Sequence, residues 1–224
     1  MNLNERFDRL DCFIEQGRLV RWAWGDGQER ACLLLALAPE VGAEGAVERC
    51  PAYLIPSWLA YLTPDLDDCG TEAAWPAMVR RYSVVVRRGA TTLDDAGWRR
   101  VLARTMLAVL AEATPHDPSG SCARVAALWT RVLAGEEPRE EEWEVWVVGA
   151  ARTAEAAAAV GQGAGGVAEA AARAAAWARS AWARAARAAA EAAARAAAAW
   201  DRITAALLDG IEIESGEHRR KEEA

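Results

Sequence analysis

Lysine is nearly missing from this 224-residue chain: Lys221 is the only one among 26 basic residues, and the rest are arginine. Asparagine occurs only at Asn2 and Asn4. Alanine is inflated in parallel, so the arginine bias reads as the codon usage of a GC-rich genome and not as a choice of arginine for bidentate contacts. Histidine is confined to His116 and His218, and neither has a patterned partner. A nucleophile–base pair built on histidine is therefore not visible. The five cysteines, Cys12, Cys32, Cys50, Cys69 and Cys122, are odd in number and include no C-x-x-C pair. That excludes a zinc site of the usual local spacing and argues against a disulfide framework. They read as small hydrophobes in a reducing compartment. No basic stretch followed by an apolar run stands near Met1, so no secretory signal is expected. The strongest apolar run, Ala31 to Ala38, is too short to span a bilayer, which leaves the cytoplasm as the expected location.

What is present is acid, alanine and tryptophan. The net charge is −7 and the pI about 5.1, which argues against nucleic-acid binding by the whole surface. Hydrophobic residues make up 53 %, but much of that is alanine, so the bulky apolar mass lies in 11 tryptophans and in the leucines and valines of the first 150 residues.

Helical periodicity recurs through that part. Leu3, Phe7, Leu10 and Ile14 mark a first helix that stops at Gly17. Val20, Trp22 and Trp24 alternate, as in an extended packing arm or one side of a small hairpin. Asp26 with Glu29 resembles a capping box and predicts a helix through Ala38. Ser57 predicts a one- or two-turn helix carrying Trp58, Leu59 and Leu62, ended by Pro64 and the acidic run. Thr71 caps a helix with Trp75, Val79, Tyr82 and Val86 on one face, closed by Gly89. Thr92 caps a longer one, and Cys122 to Leu133 forms another, closed by Gly135. Pro138 with Glu140, Glu141 and Glu142 suits the first turn of a further helix.

The chain then changes character. Residues 161–166 are rich in glycine and read as a hinge. Between Val167 and Trp200, 22 of 34 residues are alanine, the strongest helix former. The predicted architecture is all-α: a compact helical domain over 1–160, the hinge, a long alanine-rich amphipathic helix over 167–214, and a charged, frayed tail over 215–224. On that helix Arg173, Arg184, Arg187 and Arg195 share one stripe. The opposite stripe carries Trp182, Trp200, Ile203 and Leu207 and has to be buried, either on the first 150 residues or against another chain.

Few motifs suggest chemistry. Gly161, Gly163 and Gly166 satisfy G-x-G-x-x-G, but no strand precedes them, so a phosphate-binding turn lacks its context. Asp65, Asp67 and Asp68 lie between Pro64 and Gly70 and read as a turn and helix cap, with a bound divalent cation as the alternative. No catalytic residue, metal ligand or cofactor is assigned, although carboxylate chemistry among 33 acids remains open.

The blocks Arg18 to Gly27, Glu29 to Glu40, Cys50-Pro51, Pro56 to Asp68 and Ala74 to Tyr82, with the alanine-rich tail ending near Trp200 to Ile203, resemble uncharacterised proteins of phages and prophages of GC-rich bacteria. The resemblance implies a phage accessory or assembly role in a bacterial cytoplasm and no particular activity. The leading expectation is a non-enzymatic interaction protein that binds another protein or itself through helix faces and exposed tryptophan. Its tentative interface is Trp182, Trp200, Ile203 and Leu207. The alternatives are a nucleic-acid accessory protein using the Arg173, Arg184, Arg187 and Arg195 stripe, and an enzyme of unrecognised type.

Overall fold

The computed structural model describes residues 1–117, 120–143 and 197–222. Among them the regular structure is entirely helical: α1 (Leu3–Glu15), α2 (Leu33–Leu37), α3 (Ser57–Cys69), α4 (Trp75–Thr92), α5 (Asp95–Ala113), α6 (Ser121–Leu133) and α7 (Ala197–Glu222). The expected hinge, most of the alanine-rich stretch, Trp182 and the four stripe arginines lie outside the described residues.

α1 begins where sequence expects. Asn2 and Glu5 close a reciprocal capping box, and Phe7, Leu10 and Phe13 are buried. The second helix departs from expectation. Asp26 does act locally, accepting from the backbone N–H groups of Gln28, Glu29 and Arg30 at 2.8–3.1 Å. Those bonds close an Asx-type turn, and a helix starts only at Leu33. The stretch 18–32 is a loop folded on itself. Val20 N–H donates to the Ala31 carbonyl and Cys32 N–H to that of Trp24, both at 2.9 Å. Val20, Trp22 and Trp24 therefore do not form one packed face.

α2 has only five residues, every one buried, and a helix that short has no stability alone. Charged side chains from its neighbours hold both ends. Asp67 of α3 accepts from Leu33 N–H at 2.9 Å. At the other end, Arg9 of α1 donates to the Leu35 carbonyl at 2.9 Å, to Gly27 at 2.6 Å and to Ala36. An acid at the N-terminus and a base at the C-terminus are the signs that the helix dipole favours.

α3 runs straight through Pro64, correcting the expected one- or two-turn helix. Proline there forfeits one backbone hydrogen bond, a cost of about 3 kcal/mol in an isolated helix. The buried face of Trp58, Leu59, Leu62 and Leu66 offsets it. Further along, α4 passes Gly89 and ends at Thr92, and Asp94, not Thr92, caps α5 by accepting from Gly97 N–H at 2.7 Å.

α7 packs along α4 and α5. Trp200, Ile203, Leu207, Leu208 and Ile211 recur at helical spacing and all belong to the same core as α1 to α6. The helix is also clamped by charge. Arg81 reaches Asp209 at 2.5 Å and Glu212 at 2.9 Å, and Arg202 grips both oxygens of Glu112 at 2.6 Å. Glu214 has no exposed surface and accepts from Arg100 at 2.6 Å and Arg104 at 3.1 Å. Helix continues through Gly210 and Gly216 to Glu222, so the tail expected to fray from residue 215 begins as helix, with Ser215 buried.

Candidate functional site

The acidic segment Asp65 to Asp68 forms the last turns of α3, and a junction is built around it. Arg21 reaches it from the loop after α1. Its Nε donates to the Asp67 carbonyl at 2.8 Å, and its Nη2 to those of Asp68 at 2.8 Å and Gly70 at 2.7 Å. These are carbonyls that a helix C-terminus leaves without intrahelical partners, and a cation is favoured beside them. The guanidinium also lies 5.1 Å from the ring centroid of Trp22 and 5.9 Å from that of Trp75.

Asp67 is wholly buried. One carboxylate oxygen accepts from Leu33 N–H at 2.9 Å and the other from Trp75 Nε1 at 2.7 Å. Burial pushes its pKa up to about 6; those two hydrogen bonds pull the other way but do not cancel it. The pKa of Asp68 is also raised by burial, opposed by its hydrogen bond from Trp22 N–H at 2.6 Å. A carboxyl titrating near neutrality has the acidity of a proton-transfer group. Asp67, however, has both oxygens committed and no exposed surface, so its role is to fasten α2, α3 and α4 together.

Trp22 stands on this base. Its φ is +65°, the only left-handed non-glycine residue among those described, and its side chain is 71 % exposed. A bulky residue in that region is strained by about 1–3 kcal/mol and persists only where its surroundings impose it. The constraints are visible: Asp68 holds its N–H, and the preceding residue, Arg21, is fixed to three carbonyls. The indole is thus presented to solvent from a rigid, costly backbone.

The residues singled out by sequence do not assemble into one site. Trp200, Ile203 and Leu207 are buried in the chain's own core, because α4 and α5 supply the apolar surface their stripe requires; that face is not left for a partner. Asp67 and Asp68 are spent on N–H donors. Among the described residues, no group of three or more His, Cys, Asp or Glu side chains is placed to hold a metal ion. Burial pushes the thiols of Cys32, Cys50 and Cys122 up to about 12, which keeps them protonated and poor nucleophiles at neutral pH. Also among the described residues, no helix is long and apolar enough to cross a membrane.

Sequence reasoning missed Arg21 altogether and misplaced Trp22. The partners of Arg21 lie 46 to 49 positions away, and backbone carbonyls leave no residue signature in a sequence. A detectable hint was the pairing of a large aromatic with an arginine in a segment whose alternation ended at Gly25. No protein-family model, curated protein or solved structure matches the chain.

Proposed function

We propose that this chain is a non-enzymatic helical interaction protein, of phage or prophage derivation, that binds another protein through Trp22. The observation that carries this reading is the exposed indole on a left-handed backbone, braced by Asp68 and Arg21. Tryptophan and arginine dominate the energetics of protein interfaces, and an aromatic already fixed in place loses little conformational entropy on binding. Backbone strain held in place by the surrounding structure often marks a binding position. The phage derivation rests on the sequence resemblance alone.

The test exploits the strain. Trp22→Gly removes the indole and relieves the positive φ, so it should unfold at a slightly higher temperature than the parent while losing the partner. Tagged parent and variant would be used side by side for affinity purification from a bacterial host. A protein retained by the parent and absent with Trp22→Gly supports the reading. Identical sets of bound proteins would refute it.

A further inference from the structure

Between the end of α3, the first turns of α4 and the start of α7 lies an open pocket of about 200 Å³. Leu66, Ala74, Trp75, Met78 and Leu208 give it mainly apolar walls. One carboxylate stands on that lining, Asp201. Its Oδ1 accepts from Thr71 N–H at 3.0 Å and its Oδ2 from the Thr71 hydroxyl at 2.7 Å. Both donors are neutral, and among the described residues no cation bonds this carboxylate. A carboxylate can accept about four hydrogen bonds, so Asp201 keeps acceptor capacity to spare.

The charges around the pocket lean the same way. Arg81, also on the lining, is shared between Asp209 at 2.5 Å and Glu212 at 2.9 Å. Arg21 donates to the carbonyl of Gly70, another lining residue, and lies beside Asp67 and Asp68. Arg202, next in sequence to Asp201, spends its guanidinium on both oxygens of Glu112. Each of these arginines is matched or outnumbered by acids of its own, and none bonds Asp201. The pocket therefore joins apolar walls to a negative charge that the protein holds only through neutral groups.

We propose that this pocket binds a small organic ammonium ion, with its apolar body against Trp75, Met78 and Leu208 and its N–H groups on Asp201. A hydrogen bond between ionised partners is about twice as strong as one between neutral groups. An ammonium carries three donors and no acceptor, which suits a carboxylate with free lone pairs. Because the pocket is open, the ion keeps part of its hydration and avoids the cost of full burial. A ligand carboxylate would instead set two like charges together. An apolar cavity of roughly 150 Å³ accepts benzene, so this one suits a single ring with a short aminoalkyl arm. The proposal does not rest on protein binding through Trp22.

The probes are phenethylamine, phenethyl alcohol and phenylacetate, which share a ring and differ in charge, titrated into the full chain at pH 7 by calorimetry and by ligand-observed NMR. Methylamine, which has the charge and no ring, reports the general attraction of an acidic chain for cations. Phenethylamine should saturate one site, with the alcohol and methylamine at least about tenfold weaker and phenylacetate not binding. Asp201→Asn removes the charge and can keep both ties to Thr71, its amide oxygen accepting the N–H and its amide nitrogen donating to the hydroxyl. It should weaken phenethylamine about tenfold and leave phenethyl alcohol unchanged. Ala205→Leu, at an exposed position on the lining, should fill the pocket and abolish binding of both without disturbing the fold. The comparison of probes on the parent protein needs no variant. The proposal fails if phenethylamine does not saturate, if phenethyl alcohol or methylamine binds as tightly, or if Asp201→Asn leaves its affinity unchanged.

Discussion

Replacing Asp67 by asparagine should change how stability depends on pH more than it changes stability at neutrality. The carboxyl is wholly buried and titrates near 6 in the fold, against an ordinary value of 3.8. A raised acid pKa means that the folded state holds the proton over a window where the unfolded chain has released it. Stability contributed by Asp67 is thus greatest below about pH 4 and falls as pH rises to about 6. About two pKa units at 1.36 kcal/mol each give a loss of about 3 kcal/mol across that window. Other carboxyls act in the opposite sense: the Arg6 guanidinium holds Glu40 down at about 2, and Arg202 lowers Glu112. The difference between parent and variant cancels those contributions. Asparagine cannot titrate, and its amide nitrogen must face one of the two N–H donors, Leu33 or Trp75 Nε1. Setting the amide nitrogen against a buried N–H donor costs about 1–3 kcal/mol, comparable with the net penalty of about 3 kcal/mol for the buried charge that the variant escapes at pH 7. Parent and variant should therefore lie within about 1–2 kcal/mol of each other at pH 7, with the variant falling behind by about 3 kcal/mol more at pH 4. Urea unfolding followed by far-ultraviolet circular dichroism at pH 4, 5, 6 and 7 measures the gap. Parallel curves for the two proteins would refute the argument, because they would mean that Asp67 titrates alike folded and unfolded.

Two glycines on packed helices should respond to alanine with opposite signs. A Cβ at Gly89 would stand 2.7 Å from Ile211 and 2.9 Å from Trp98, whereas nothing lies within 4 Å of one at Gly216. Gly216→Ala should raise stability by about 0.5–1 kcal/mol through helix propensity. Gly89→Ala gains the same but overpacks the contact of α4, α5 and α7 by about 1–3 kcal/mol, so its urea midpoint should fall. Cys32 and Cys122 are buried with thiols pushed up to about 12, so an aromatic disulfide reagent should leave them unmodified in the native protein and label them on unfolding.

Much of the helical framework was legible because it follows from local patterns. Leu3, Phe7 and Leu10 recur on one face of α1, and Cys122, Val125, Trp129 and Val132 do the same on α6. Helix ends were harder wherever a distant group decided them. Pro64 is a local stop signal that the packed face of α3 overrides. Asp26 is a local start signal that closes a turn instead. The candidate site was the least legible part. Its anchor, Asp67, was marked as part of an acidic run, but its partners are a backbone N–H 34 positions earlier and an indole eight positions later. The apolar stripe of α7 was read correctly as needing burial. Whether it would be met by the same chain or another was not decidable from periodicity, which shows a face but not what covers it.

The scarcity of lysine acquires a physical use once the junctions are compared. Arg9 and Arg21 each bridge three backbone carbonyls, Arg9 around the end of α2 and Arg21 at the end of α3. Each does so with two nitrogens held apart in one plane, a geometry that the single ammonium of lysine does not have. Whatever the origin of so many arginines, at these two positions the guanidinium decides which structure forms. Without Arg9 the five-residue α2 would lose the cap on its C-terminal end, and α2 carries the leucines at the centre of the core. Without Arg21 the carbonyls closing α3 would lose their donors, and the backbone that forces Trp22 into the left-handed region would be released. The strain at Trp22 is therefore set by the same side chain that terminates α3, which ties the one exposed tryptophan of the described surface to the integrity of the fold beneath it.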